Sequence, residues 1–391
     1  MSRLRDTRLA VVAVAVLTTL LAGCSGTTAS QNVDPAARAA AVQKAQAGAT
    51  RLINAATQPN AWQGPESSPR PKPGLRLAII PTTMASTGAS SPANAMAKAA
   101  QAIGWTAKIS DGQGKPDVAL NAIQAAVDEK VDAIVTMFVD NARVQAGIDR
   151  ALAAGIPVFT LGNLKKTPNV PDVAWNVYGE GQVMAQYMVW KSGGDLKLLQ
   201  MKNTDIYAAI VGQYQGSQDY LSDPANCPGC TTETLEWSLA NFEDPNLGPA
   251  AQASAALQAD PSLNWVSCFD ACMFRVSQAA DRAGLTKRGV QGAGYDCSAE
   301  NVAVIQRGGL QKACFADPRE WLSLAVLDNV IRVTDGQQPF DYTDKIPTAL
   351  FDKDNLAKLP ADKLDELVTV GWRGNYDFTA KFYQLWGVAA S

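Results

Sequence analysis

The sequence has no histidine among its 391 residues. That removes a Ser-His-Asp triad, an HExxH zinc site and the commonest general base together. The acid–base chemistry that remains belongs to lysine or to carboxylates such as Asp140, Asp270 and Asp296, each just beyond a short apolar run. An envelope enzyme could use them, but without imidazole that reading is set aside. The chemistry they do suit is accepting hydrogen bonds from a bound small molecule. Met137 and Phe138 end the same run as Asp140, and Gly162-Asn163 end the next. Asp111-Gly112-Gln113-Gly114 lacks the third glycine of a dinucleotide fingerprint, and no P-loop pattern occurs. No catalytic residue, metal site or cofactor is expected.

The elements that must hold these residues are legible around 131–163. V-D-A-I-V-T-M-F and I-P-V-F-T-L-G-N are apolar runs without alternation, as in strands buried on both faces of a parallel sheet. Between them Val144, Ile148 and Leu152 recur at helical spacing, and Gly155 stops the helix. The same βαβ grammar repeats, with strands expected at 75–80, 106–109, 196–201, 234–239, 264–268, 290–295 and 310–315. Helices are expected at 93–103, 118–129, 180–191, 207–220, 249–259, 271–283, 299–307 and 321–334, with a Ser/Thr/Gly loop over 82–91. Two similar α/β halves follow one another, and such sheets bind ligands beyond the carboxyl ends of their strands. A formal net charge of −3 leaves no basic footprint for nucleic acid.

The amino terminus reads as an export signal over 1–23: Arg3, Arg5 and Arg8 precede an apolar core. Leu21-Ala22-Gly23-Cys24 resembles the bacterial lipobox, which implies cleavage before Cys24 and lipidation of its thiol. The protein would then be lipid-anchored in the cell envelope, at the outer face of the cytoplasmic membrane. Six cysteines remain, an even number in an oxidising setting: Cys227, Cys230, Cys268, Cys272, Cys297 and Cys314. Cys227-Pro228-Gly229-Cys230 reads as a local loop staple, and the rest of the connectivity stays open among the fifteen pairings of six cysteines. Residues 24–74 read as a tether: an alanine-rich helix over 35–56, spacing the domain from the membrane or packing weakly, then an extended proline-dense linker. The tail after Pro347 is polar and ends in Trp372, Tyr376, Phe378, Phe382, Tyr383 and Trp386, expected to fold back as a core-capping helix.

Several stretches carry a resemblance: I-S-D-G-Q-G-K-P, V-D-A-I-V-T-M-F-V-D, A-L-A-A-G-I-P-V-F-T-L, V-Q-G-A-G-Y-D and L-Q-K-A-C-F-A-D-P. Behind a lipobox, they resemble the ribose-type, type I periplasmic solute-binding proteins of ABC importers. The resemblance implies an α/β fold of two Rossmann-like lobes with parallel sheets joined by a three-strand hinge. It places crossings near Trp175, Ala316 and Lys345. The first lobe would be 75–175 plus 317–344, and the second lobe with the carboxy-terminal tail 176–316 plus 345–391. A monomer would close on a sugar or polyol and present it to a membrane permease. Asp296 matches the family's sugar-binding aspartate, Phe242 an aromatic that stacks on the ring, and Asp270 a polar position preceded here by Phe269. Gly162-Asn163 replaces the Asp-Arg pair that clamps ribose-type ligands, while Met137, Phe138, Trp175 and Phe269 bring apolar groups to the site. A less hydroxylated or aromatic solute is therefore the alternative ligand, and a membrane receptor that senses occupancy the alternative partner.

Overall fold

The computed structural model describes residues 33–388 apart from 164–165, 204–207, 239–240, 243, 344 and 370. Cys24 and the export signal lie outside the described residues. The chain enters with α1 (Pro35–Ala55) and then builds β1 (Arg76–Pro81), α2 (Thr87–Ala102), β2 (Thr106–Ile109), α3 (Pro116–Asp128), β3 (Ala133–Met137), α4 (Asn141–Ala153), β4 (Val158–Leu161) and β5 (Asp172–Val173). These strands form one parallel sheet in the order β2-β1-β3-β4-β5. β3 and β4 are buried at every position, so an unbroken apolar run is what the two-sided burial demands.

After Trp175 the chain crosses to a second lobe. It contains α5 (Val177–Lys191), β6 (Lys197–Asn203), α6 (Ala208–Ser222), β7 (Thr231–Trp237), α7 (Pro249–Ala259), β8 (Trp265–Ser267), α8 (Asp270–Arg282), α9 (Leu285–Arg288), β9 (Gln291–Tyr295), α10 (Ala299–Gln306) and β10 (Gln311–Ala316). It crosses back at 317–318 into α11 (Arg319–Thr334). A third crossing near 345–348 leads to β11 (Ala349–Asp352), α12 (Lys353–Leu356), α13 (Ala361–Thr369) and α14 (Phe378–Trp386). The second sheet runs β11-β10-β9-β8-β6-β7, parallel except for the β10–β11 pair.

Helices cover both faces of each sheet. In the first lobe α2 and α11 bury Met96, Leu327 and Val330 on Leu77, Met137 and Phe159, while Ile123, Val144 and Ile148 of α3 and α4 cover Ile80 and Ile134. In the second lobe Met184 and Met188 of α5 pack on Leu198 and Phe315, and Leu257 and Val276 of α7 and α8 on Leu199 and Val266. α5 and α6 touch at glycines. A Cβ on Gly181 would stand 2.0 Å from the Gln213 carbonyl, and one on Gly216 2.0 Å from that of Tyr178.

Four expectations are corrected. α2 begins at Thr87 inside the loop expected over 82–91, because burial of Ala89, Pro92, Ala93 and Met96 overrides a loop-like composition that includes Pro92. β5 and β11 fall where turn-rich, polar sequence showed no strand; their partners β4 and β10 supply the order. The helix expected to be a spacer is packed: Ala45 and Ala49 of α1 are fully buried among α5 residues, and Lys44 donates to Asn226 Oδ1 at 2.7 Å. Residues 345–391, expected as the end of the second lobe together with a carboxy-terminal tail, are divided between the two cores. Leu367 and Trp372 pack with Phe351 in the second lobe, whereas Phe378, Phe382 and Trp386 of α14 join the first lobe's core.

That first-lobe core has a polar centre. Asp328 on α11 is fully buried and accepts from Ser68 Oγ (2.5 Å), Arg332 Nε (2.6 Å), Tyr342 Oη (2.9 Å) and Trp386 Nε1 (2.9 Å). A buried carboxylate is tolerable only with such compensation.

Candidate ligand-binding cleft

The turn after β9 puts Asp296 between the lobes. Asp296 and Cys297 have φ of 95° and 49°, left-handed conformations that cost a non-glycine residue free energy unless neighbours impose them. The neighbours here are several. Asp296 N donates to Phe315 O at 2.7 Å, and Arg319 Nη2 donates to Asp296 O at 2.8 Å. A disulfide joins Cys297 to Cys314 on β10. Asp270, itself buried, accepts from Ser298 N at 2.9 Å and from Gln311 Nε2 at 2.9 Å. The Asp296 carboxylate stays 37% exposed, with Arg319 Nη2 3.4 Å from Oδ1. Across the cleft lies the start of α2: a Cβ on Gly88 would come within 3.7 Å of Asp296 Oδ2.

On the first lobe Phe138 also has positive φ, 58°, and meets Trp175 edge-on with centroids 6.2 Å apart. Gly162 makes room for it, since a Cβ there would stand 2.8 Å from the Phe138 ring. Asn163 is buried; its Oδ1 accepts from Asn141 N at 3.2 Å and its N–H donates to Asp172 Oδ1 at 3.1 Å. Asp140 caps α4 through Ala142 N at 3.1 Å, and Met137 is fully buried in the sheet core. On the second lobe Phe242 and Phe269 flank Trp237 at 5.7 and 5.6 Å, and Arg275 lies 4.7 Å over Phe242. The structure thus groups Phe138 with Trp175, and Asp270 with Asp296. Phe242 and Phe269 form a separate aromatic stack.

Three hinge residues were missed in the sequence. Arg319, buried at the first turn of α11, is a cation among Asp296, Asp317 and Asp270. Burial opposes its charge, but Asp296, Asp317 and Asp270 together raise its pKa above the ordinary value. Burial pushes Asp317 up to about 6; Arg319 opposes this and Asp296 adds to it. Burial, then Asp317, push Glu180 up to about 8 against the pull of Gln213 and Trp175. Glu180 Oε2 accepts from Gln213 Nε2 at 2.9 Å, while the Trp175 indole N–H lies near the carboxyl without reaching hydrogen-bond geometry. Asp270 is raised well above the usual range by burial, then by Asp296. A signal existed: Glu180 is the one carboxylate in a helix otherwise rich in buried apolar residues. Asp317-Pro318-Arg319 follows β10 at the second crossing, near the Ala316 that the resemblance placed there.

This geometry, two α/β lobes around a polar hinge with the strand ends facing each other, is that of a solute-binding protein. The chain belongs to the periplasmic binding protein domain family, matched over residues 77–337. The family and its structural neighbours are extracytoplasmic solute-binding proteins of ABC transporters, not enzymes. The fold is similar to an ABC transporter solute-binding protein from Agrobacterium vitis with bound allitol, at 19% identity and TM-score 0.66, over 73% of this chain and 97% of that one. It is similar to the Caulobacter myo-inositol binding protein at 17% identity and TM-score 0.66, over 76% and 99%. An ABC sugar transporter subunit from Rhodobacter sphaeroides 2.4.1 aligns at 20% identity and TM-score 0.63, over 72% and 99%. No curated protein matches the sequence. Among the described residues no helix is long and apolar enough to cross a membrane.

Proposed function

We propose that the protein captures a small hydroxylated solute, a sugar or polyol, between its lobes and delivers it to an ABC importer permease. The observation that carries this is Asp296: an over-determined turn on one lobe presents a part-exposed carboxylate to the start of α2 on the other. Such a carboxylate accepts hydrogen bonds from a diol, and closure of the lobes would bury them. The solved relatives named with allitol and myo-inositol support the ligand class.

Titration calorimetry of the folded domain against sugars, polyols and aromatic acids tests it. Asp296→Ala should weaken the cognate ligand by roughly tenfold to a hundredfold, the loss of one or two buried acceptors. Unchanged affinity in a folded mutant removes Asp296 from the site. The Phe138–Trp175 pair and the Trp237 stack favour a second reading, a less hydroxylated or aromatic solute, which the same panel separates. A receptor that senses occupancy is the alternative partner, decided by whether solute uptake fails when the protein is deleted.

The envelope address rests on Cys24, proposed as the lipid-bearing residue of a monomeric protein. Cys24→Ser should release the protein from membranes or stall its processing. If membrane fractionation finds the mutant held as firmly as wild type, the anchor reading fails; two acyl chains hold where one is marginal.

A further inference from the structure

The family match spans 77–337, yet ordered structure extends well beyond it on both sides. The solved relatives named above are aligned over 97–99% of their length but 72–76% of this chain. The surplus here is not loose. It makes two further passages between the lobes, in addition to the three hinge segments.

The first passage is amino-terminal. α1 sits on the second lobe: Gly48 lies against Gln186, and Ile53 O accepts from Asn355 Nδ2 at 3.1 Å. Ala56 is buried there beside Leu367 and Trp372. Six residues later Trp62 is stacked on Trp321 of the first lobe, centroids 5.5 Å apart and nearly parallel, and edge-on to Phe382 at 5.0 Å. Ser68 then donates to Asp328, and Arg332 to Ser67 O. The second passage is carboxy-terminal. Trp372 packs on Phe351 of the second lobe at 6.1 Å, and six residues later Phe378 stacks on Trp321 of the first at 5.1 Å. Arg373 spans the junction, 3.3 Å from Glu366 on α13 and 2.6 Å from Glu320 on α11.

The two passages are laced together. Asn375 N donates to Asn60 Oδ1 at 2.6 Å, and its Nδ2 to Ala56 O at 3.1 Å and Gln58 O at 2.9 Å. Six residues span about 20 Å when fully extended, which bounds the separation of each strap's two anchors. Any wider movement must strip half-buried Trp62 from Trp321 or buried Ala45 and Ala49 from α5.

We propose that residues 33–74 and 353–388 act as paired straps that limit how far the hinge opens, holding the empty protein nearer its closed form. A first lobe free to swing only a short way pays less entropy on closing, which favours tight binding and a narrow choice of solute size.

The test leaves the solute out, so it stands or falls apart from the proposed function. A protease site inserted after Pro59, in the exposed stretch 57–59, allows the first strap to be cut after folding; Asn375→Ala unlaces the second. Small-angle X-ray scattering of ligand-free protein should show a larger radius of gyration after the cut, and larger again with Asn375→Ala. Amide exchange at hinge residues 316–319 should rise at least tenfold. Circular dichroism must stay native throughout. A cut protein with native dichroism and an unchanged scattering profile overturns the proposal. So does a cut that unfolds the protein, because the straps would then be supports for the fold and not limits on its motion.

Discussion

Glu180 carries a pH dependence whose sign follows from its burial. Its carboxyl is raised from an ordinary 4.5 to about 8 in the folded chain. Below pH 4.5 it is protonated whether folded or not, and the full stability is present. Between 4.5 and 8 the unfolded chain loses that proton while the folded chain keeps it, so stability falls as pH rises; above 8 the loss is complete. Glu180→Gln should therefore gain on wild type across this window, by roughly a few kcal/mol at its upper end. Urea midpoints at pH 5 and pH 8.5 check it, and a constant difference between the two proteins would contradict the assignment. Asp317 acts in the same sense over a lower window, 3.8 to about 6. At this scale Asp296 could be proposed from the sequence, because an aspartate directly after an apolar strand stands out. It did not show Glu180 or Arg319, whose roles exist only once three chain crossings bring Asp317, Asp296 and α5 together.

Among elements, the best-read were the parallel strands and the helices between them, because two-sided burial and helical period both leave marks in the residues. β2 and α7 were read to the residue. β5 and β11 were not, since their order comes from partners distant in sequence. The α5–α6 contact was invisible for the same reason: Gly181 and Gly216 look like helix-weakening residues until the facing carbonyls are seen. Gly216→Ala should force α5 from α6 at the Tyr178 carbonyl and destabilise the protein by about 3 kcal/mol, read as a lower urea midpoint with unchanged slope. The disulfides also belong here. Cys227–Cys230 and Cys268–Cys272 close short loops, and Cys297–Cys314 a longer one, with sequence separations of 3, 4 and 17. Only the last should contribute on the order of 3 kcal/mol through the unfolded chain. Thiol titration of denatured, unreduced 33–391 should find close to none free; six would contradict the pairing.

For the whole molecule, the stretches 33–74 and 353–388 are both structural, which the alanine-rich start did not announce. A chain ending at residue 377 loses Phe378, Phe382 and Trp386 from the first lobe's core. Each large buried aromatic is worth about 3–5 kcal/mol, so the sum, on the order of 10 kcal/mol, rivals the net stability of a typical domain. Limited proteolysis should then digest the first lobe while 176–316 survives, and equal resistance of both lobes would refute this. The aromatic tail was expected to fold back, as it does; the lobe it returns to could not be read, because that depends on Trp321 offering a ring face to Phe378 as well as one to Trp62.

The four donors on Asp328 come from Ser68, Arg332, Tyr342 and Trp386, nearly the full span of the described chain. On the ribosome the first strands emerge early, but the carboxylate in their lobe's core is not fully compensated until Trp386, the final residue of the last helix, has been made. Half of the molecule therefore stays unfinished throughout translation. The timing of that completion is written into one buried aspartate.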